Sequence, residues 1–240
     1  MSSEIKANKL SPGSGSILTI GDSGDTVNIG GSAGTGFPSG GFDSYQVKTG
    51  STAWTKPTGI TKIVVEVLGG GGSGGGASTA GRGGGGGAGG YVLSDVIDVS
   101  GVAGSTSLSI GIAGPTPTAN STGNAGGDSS TEIAGVTLTA GGGGAGVAGG
   151  TRDGGQGGTA SGGKINLVGQ KGTTYRNPAA EGGSSQYGWG GVATATGAYA
   201  TGPVATGYGA GGGGAWGDEG GSGSSGGAAV PGLIVIWEYK

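Results

Sequence analysis

The chain has no cysteine and no histidine. No disulfide can staple it, and thiolate or imidazole metal ligation, a Ser-His-Asp triad and a histidine general base are all excluded. Long apolar runs are missing too: Ile63-Val64-Val65 and Leu233 to Trp237 are far too short to span a bilayer, so membrane insertion is not expected. The opening Met1-Ser2-Ser3-Glu4-Ile5-Lys6 lacks the apolar stretch of a secretory signal. If the protein acts outside a cell, release by lysis is the expected route. Charge is sparse, with 10% charged residues and a net charge of −3, whereas disordered chains are usually held open by high charge. The acidic balance, with a pI near 4.8, argues against nucleic acid. Arg82-Gly83-Gly84 is a single RGG triplet and the only other arginines are Arg152 and Arg176. RGG-type binders use many, because their affinity comes from neutralising phosphates.

What the chain has instead is glycine, 70 residues in 240. Glycine loses more backbone freedom on folding than any other residue, and it has no side chain whose burial offsets the loss. The glycine stretches must therefore stay disordered or pair nearly every N–H and C=O. Segments rich in β-branched residues, and an end on the apolar run Leu233-Ile234-Val235-Ile236-Trp237-Glu238-Tyr239, favour order. Collagen needs glycine at every third residue and abundant proline. Gly149-Gly150, Gly154-Gly155, Gly157-Gly158 and Gly162-Gly163 break that period, and eight prolines are too few. The remaining arrangement is a bundle of extended polyproline-II-type helices, three residues per turn with a rise of ~3.1 Å, whose outward N–H and C=O groups pair with neighbours on several sides.

Residues 1–44 read as one unit. Ile17-Leu18-Thr19-Ile20 and Thr26-Val27-Asn28-Ile29 flank the turn-forming Gly21 to Asp25, a hairpin that is marginal alone and needs a partner surface. Gly30 to Gly41 reads as a linker closed by Phe42. Residues 45–240 read as a second unit. Strand-like runs are expected at Tyr45–Lys48, Ala53–Thr55, Ile60–Leu68 (with Ile63, Val65 and Val67 on one face), Tyr91–Val99, Thr106–Ile112, Thr131–Thr139, Ile165–Val168 and Leu233–Tyr239. Lys56-Pro57-Thr58-Gly59 reads as a turn with proline second. Glycine blocks occupy Gly69 to Gly90, Gly141 to Gly163 and Gly209 to Gly227, and the stretch between the last two, apart from Ile165–Val168, reads as loop. No window keeps a helical period over three turns, so the expected class is all-β and irregular with essentially no α-helix.

The chain resembles the glycine-rich domains of bacteriophage tail-fibre proteins and tail-tip adhesins. The resemblance rests on Thr52-Ala53-Trp54-Thr55-Lys56-Pro57-Thr58-Gly59-Ile60 running into Val64 to Gly72, on Gly126-Gly127-Asp128-Ser129-Ser130 and Leu138-Thr139-Ala140, on Gly182 to Gly191, on Gly207 to Ala215, and on Gly232 to Tyr239. Ser3 to Lys9 and Leu18 to Thr26 look like the opening of fibre proteins from marine phages. The resemblance implies a virion protein whose glycine part is a polyglycine II sandwich capped by β-strands, usually a trimeric fibre, with exposed loops that recognise the host. The chain departs from long fibres in having almost no shaft.

Chemistry-bearing motifs are weak by comparison. Gly158 to Lys164 fits G-x-x-x-x-G-K, but Ile165 replaces the hydroxyl that would hold Mg²⁺. Asp22 and Asp25, or Asp128 and Glu132, lack EF-hand or β-roll spacing and read as turn stabilisers, so no metal or other cofactor is expected. Nothing in the spacing of Asp153, Asp218 and Glu219 argues for the paired carboxylates of a glycosidase, so an enzyme is not expected. Asn120-Ser121-Thr122 is a sequon without secretory context. The aromatics carry more: Tyr175, Tyr187, Trp189, Tyr199, Tyr208 and Trp216 fall within 42 residues, and large rings cannot enter a glycine bundle without prising it apart. With Arg176 and Asn177 they are the candidate receptor-binding residues, since exposed Tyr and Trp make rigid, low-entropy anchors for proteins and sugars. Trp189 and Tyr208, inside the family-like motifs, read equally as caps of the bundle.

The expected function is non-catalytic adhesion of a phage tail fibre or tail tip to a host cell-surface protein or glycan, in the virion. Residues 1–44 would oligomerise and dock on other tail proteins. A tail appendage with a purely structural role is the first alternative. An ice-binding glycine-rich protein is the second, and thermal hysteresis would reveal it.

Overall fold

The structure, a computed structural model, describes residues 41–79, 81–149, 153–174, 180–192, 200–217 and 223–240. The expected hairpin at 17–29 and its linker up to Gly40 lie outside the described residues. Among those described the chain is all β, without α-helix. Its strands are β1 (Phe42–Lys48), β2 (Thr52–Thr55), β3 (Lys62–Leu68), β4 (Tyr91–Leu93), β5 (Ile97–Asp98), β6 (Ser105–Ser109), β7 (Ser129–Ile133), β8 (Val136–Ala140), β9 (Ala160–Ser161), β10 (Ile165–Leu167), β11 (Tyr187–Trp189), β12 (Thr206–Tyr208) and β13 (Leu233–Tyr239). One antiparallel sheet runs β1-β13-β3-β4-β10 with β5 also on β3, a second runs β2-β6-β7-β8-β9, and β11 pairs with β12.

The first two sheets close on each other because each strand alternates its faces. Ile63, Val65 and Val67 of β3 and Ile234 and Ile236 of β13 meet Trp54, Leu108, Ile133 and Leu138 of the opposite sheet in one buried core. A carboxyl group sits in that core. Glu238, 1% exposed, accepts from Trp54 Nε1 at 2.8 Å, Gln46 Nε2 at 2.8 Å and Ser44 Oγ at 2.6 Å. Three donors satisfy a carboxylate that would otherwise be intolerable at this depth.

Four local expectations change, the first being that the run 91–99 is two short strands, β4 and β5, rather than one. The run 131–139 is a hairpin rather than one strand: Ala134 and Gly135, at φ 52° and 78°, reverse it in a two-residue turn between β7 and β8. The turn near Pro57 sits one residue later than expected. Ile60 N donates to Pro57 O, which puts Gly59, at φ 86°, in the third position, where a type II turn needs a positive φ. The stretch read as loop also contains β11 and β12.

The glycine tracts make up most of the remaining described residues, and their hydrogen bonds show a three-residue period. Along 69–77, the N–H groups of Gly69, Gly72 and Gly75 donate to Gly90, Gly87 and Gly84. Those of Gly70, Ser73 and Gly76 donate to Gly127, Asn124 and Ser121, and those of Gly71, Gly74 and Ala77 to Val230, Gly227 and Ser224. All nine lie between 2.7 and 3.1 Å. The carbonyls of the same tract accept from three further segments: Gly70 and Ser73 from Gly143 and Gly146, Gly72 and Gly75 from Gly212 and Ala215, and Gly71 from Gly114. A strand has two hydrogen-bonded neighbours; this tract has six, spaced by the three-fold turn of a polyproline-II-type helix. The tract 83–90 repeats the pattern, donating in turn to 209–215, 141–147 and 170–173.

Strand pairing passes into tract pairing without a break. Leu68 pairs with Tyr91, and the next rung is Gly69 N to Gly90 O. The tracts therefore come in six outgoing and returning pairs, 69–77 with 83–90, 110–118 with 121–127 and 141–147 with 153–159 joining strands of the sandwich, and 169–173 with 180–184, 190–192 with 200–205 and 209–217 with 223–232 running from β10 through β11 and β12 to β13. At ~3.1 Å per residue the longest tracts carry their returns about 25 Å from the sandwich.

The close approach admits no side chain. A Cβ added at Gly142 would stand 2.0 Å from Gly126 O, and one at Gly212 would stand 2.1 Å from Gly227 O. Gly142→Val and Gly212→Val should therefore unfold the domain, read as loss of the cooperative melt. Gly101→Ala, where an added Cβ meets nothing within 4 Å, should melt within a few degrees of the parent. Glu238→Ala should cost about 3 kcal/mol in denaturant unfolding, because it strands the buried Trp54 N–H.

Candidate functional site

The short strands β11 and β12 bring together three of the aromatics singled out from the sequence. Tyr187 pairs with Tyr208, and Trp189 with Thr206. Opposite residues of an antiparallel pair share a face, so all four side chains project from the same side. Between them Gly188 and Gly207 make up the other face, where a Cβ on Gly188 would meet Thr206 O at 2.4 Å. Trp189 is 75% exposed, Tyr187 39% and Tyr208 37%. A shallow cavity of about 510 Å³ lies against this pair, lined by Ser184, Ser185, Gln186, Tyr187, Trp189 and Thr206. A second, of about 230 Å³, shares Ser184, Ser185 and Gln186 and continues to Tyr91, Leu167, Val168 and Gln170. The two form one groove.

A buried carboxylate anchors it. Glu66 of β3, 8% exposed, lies on the outer face of its sheet. It accepts from Tyr91 OH at 2.9 Å, from Trp237 Nε1 at 2.7 Å and from Tyr187 OH. Tyr91 and Tyr187 are themselves in ring contact at 6.4 Å. Through Tyr187 the β11–β12 pair is tied to the sheet. Burial first, and then hydrogen bonding to Glu66, push both phenols well above the ordinary tyrosine value of 10.0. An ionised phenolate there would face a carboxylate in a partly desolvated site.

Sequence reasoning missed the rest of this face. Trp237 makes ring contacts with Tyr45 at 5.4 Å and Phe42 at 6.1 Å, and Phe42 also contacts Tyr239 at 6.2 Å. The signal was present: Glu66 and Glu238 each interrupt an apolar strand, and a carboxylate in such a place requires donors. Tyr and Trp are the residues that bring an N–H or O–H on an apolar body.

Trp216 is not part of the groove. It sits at the far end of the bundle, bridged to Arg82 and Ala200, with the Arg82 guanidinium 4.1 Å from its ring centroid. Tyr175, Arg176, Asn177 and Tyr199 lie outside the described residues. Their described flanks are Thr173, whose N–H donates to Glu181 O, and Ala200, paired with Trp216; both stand on the side of the bundle away from the sandwich.

The weaker motifs have ordinary partners. Lys164 pairs with Asp95 at 2.9 Å, and Gly158 N donates to Ala88 O. Asp128 Oδ1 accepts from Gly142 N at 2.8 Å. Among the described residues no group of three or more His, Cys, Asp or Glu side chains gathers as a metal site would need.

A family model described as the glycine-rich domain matches the chain over residues 46–233. No match was found among curated proteins.

Raised phenol values favour the native state only while the phenols stay protonated. Their contribution is complete below pH 10, the unfolded value, and is lost as pH rises toward the folded one. The melting temperature should therefore fall above pH 10. In a spectrophotometric titration Tyr91 and Tyr187 should ionise late, and Glu66→Gln, which removes the facing charge, should bring both part of the way back.

Proposed function

We propose that this chain, which belongs to the glycine-rich domain family, is a bacteriophage tail-fibre or tail-tip protein that adheres to the host cell surface by binding, without chemistry. Residues 1–44 attach it to the tail and trimerise it, and residues 45–240 recognise the host. It works in the virion, and is made in the host cytoplasm and released by lysis. The observation that carries the reading is the direction of the six excursions. Each runs out from the sandwich or from the β11–β12 pair through glycine tracts bonded to their neighbours, so the described tract ends at Ala77, Ser121, Val147, Trp216 and Ser224 gather on the side away from the strands. An adhesin needs such a mount, because rigid presentation lowers the entropy lost on binding. The sequence between Thr174 and Ala180, and that between Val192 and Ala200, is poor in glycine and holds Tyr175, Arg176, Asn177 and Tyr199, residue types suited to contact. The resemblance to tail-fibre glycine-rich domains supports the same reading.

Purified protein should bind susceptible cells and compete with intact virions. Tyr199→Ala should weaken adhesion at least tenfold while melting like the parent. Incorporation into virions without any binding of the free protein to cells would favour the purely structural appendage and sink the adhesion reading.

A further inference from the structure

The groove along β11–β12 is tied to the sandwich through Tyr187 and Glu66, and its lining is selective in its own right. We infer that it is a binding site for an uncharged oligosaccharide. The ring of Trp189, 75% exposed, makes an open apolar platform of the kind that stacks on the C–H face of a sugar. Thr206, paired with Trp189 across the two strands, offers a hydroxyl beside that platform. The exposed amide of Gln186 lies where the two cavities join and presents both a donor and an acceptor. Further along, Gln170 uses its Oε1 to accept from Ser184 N at 2.7 Å, which leaves its amide N–H groups directed to solvent or ligand. Polar pairs and an apolar ring alternate along an open trough, which suits a chain of sugar units better than one compact ligand.

Charge decides the class. Among the described residues no lysine, arginine, aspartate or glutamate lines either cavity. The nearest carboxylate, Glu66, is buried with three donors already on it. Phosphate or carboxylate ligands need cationic or clustered N–H donors, and the backbone N–H groups of Ser184, Ser185, Tyr187 and Gly190 are spent on Gln170, Gly188 O, Ser185 Oγ and Ser184 Oγ. The Tyr187–Glu66 bond fixes the β11–β12 pair to the sheet, so the platform is set before a ligand arrives. The assignment rests on the adhesion reading only for the source of the sugar, a cell surface.

The test uses the full chain on an immobilised panel of neutral and anionic oligosaccharides of two to six units. Retention on at least one neutral member is expected, weakened about tenfold or more by Trp189→Ala and by Thr206→Val, and unchanged in Val96→Ala, with all three variants melting like the parent. No retention on any neutral member, preference for anionic members, or retention indifferent to Trp189→Ala would overturn the inference. Cell adhesion is scored on the same proteins. A chain that adheres to susceptible cells but retains no neutral sugar overturns the groove alone. One that retains the sugar but never adheres supports the groove while removing the adhesion reading.

Discussion

Backbone meeting backbone, with nothing between, is the constraint from which the rest of this structure follows. A carbonyl about 2 Å from where a Cβ would sit leaves glycine as the sole residue for most lattice positions. The exceptions are instructive. Ala77, Ala88, Ala210 and Ala215 are fully or almost fully buried, so a methyl fits at those points of the bundle. Ser73 is buried too, and its Oγ both donates to Pro115 O at 2.8 Å and accepts from Asn124 N at 2.8 Å. Where a side chain enters the bundle, it is small or it joins the hydrogen bonding.

Six neighbours around an inner tract such as 69–77 also explain how so much glycine can be ordered. Each residue of 69–77 donates one hydrogen bond in a direction set by its place in the turn, so no N–H of that tract is left over. One such bond contributes only about 1 kcal/mol net, less than the upper range of the backbone entropy it opposes. The arrangement is therefore stable only as a whole. The β-sandwich supplies what the tracts lack, an apolar core that sets which tracts start as neighbours. Leu68–Tyr91 and Ser129–Ala140 are the rungs that hand this register on.

The two buried glutamates link the sandwich to its surfaces. Glu238 faces inward and holds Trp54, Gln46 and Ser44, tying β1 and β2 to β13. Glu66 faces outward and holds Tyr91, Tyr187 and Trp237, tying the β11–β12 pair to the sheet. Both occupy alternation positions that an apolar residue would otherwise fill. Both turn aromatic side chains into hydrogen-bond donors of fixed orientation, which is how a bundle without room for side chains comes to carry an aromatic groove on its flank.

Much of this was legible in the residues. The glycine count and broken period pointed to a polyproline-type bundle, the alternation of Ile63, Val65 and Val67 marked the core face, and Tyr187, Trp189 and Tyr208 stood out as rings too large for a glycine bundle, with nothing in the residues to show that they share one face. What could not be read was which distant segments meet. The three-residue period is silent about partners, since every glycine tract offers the same N–H and C=O pattern to every other. The separation of Trp216 from Tyr208, only eight residues away, follows from a tract that runs straight outward between them. The pairing of Glu66 with Tyr187, and of Glu238 with Trp54, spans more than a hundred residues each. Composition and local alternation alone thus determined that the backbone would condense without side chains between its segments. Tertiary structure alone decided which aromatics would share a surface, because that depends on the order in which the sandwich starts each tract.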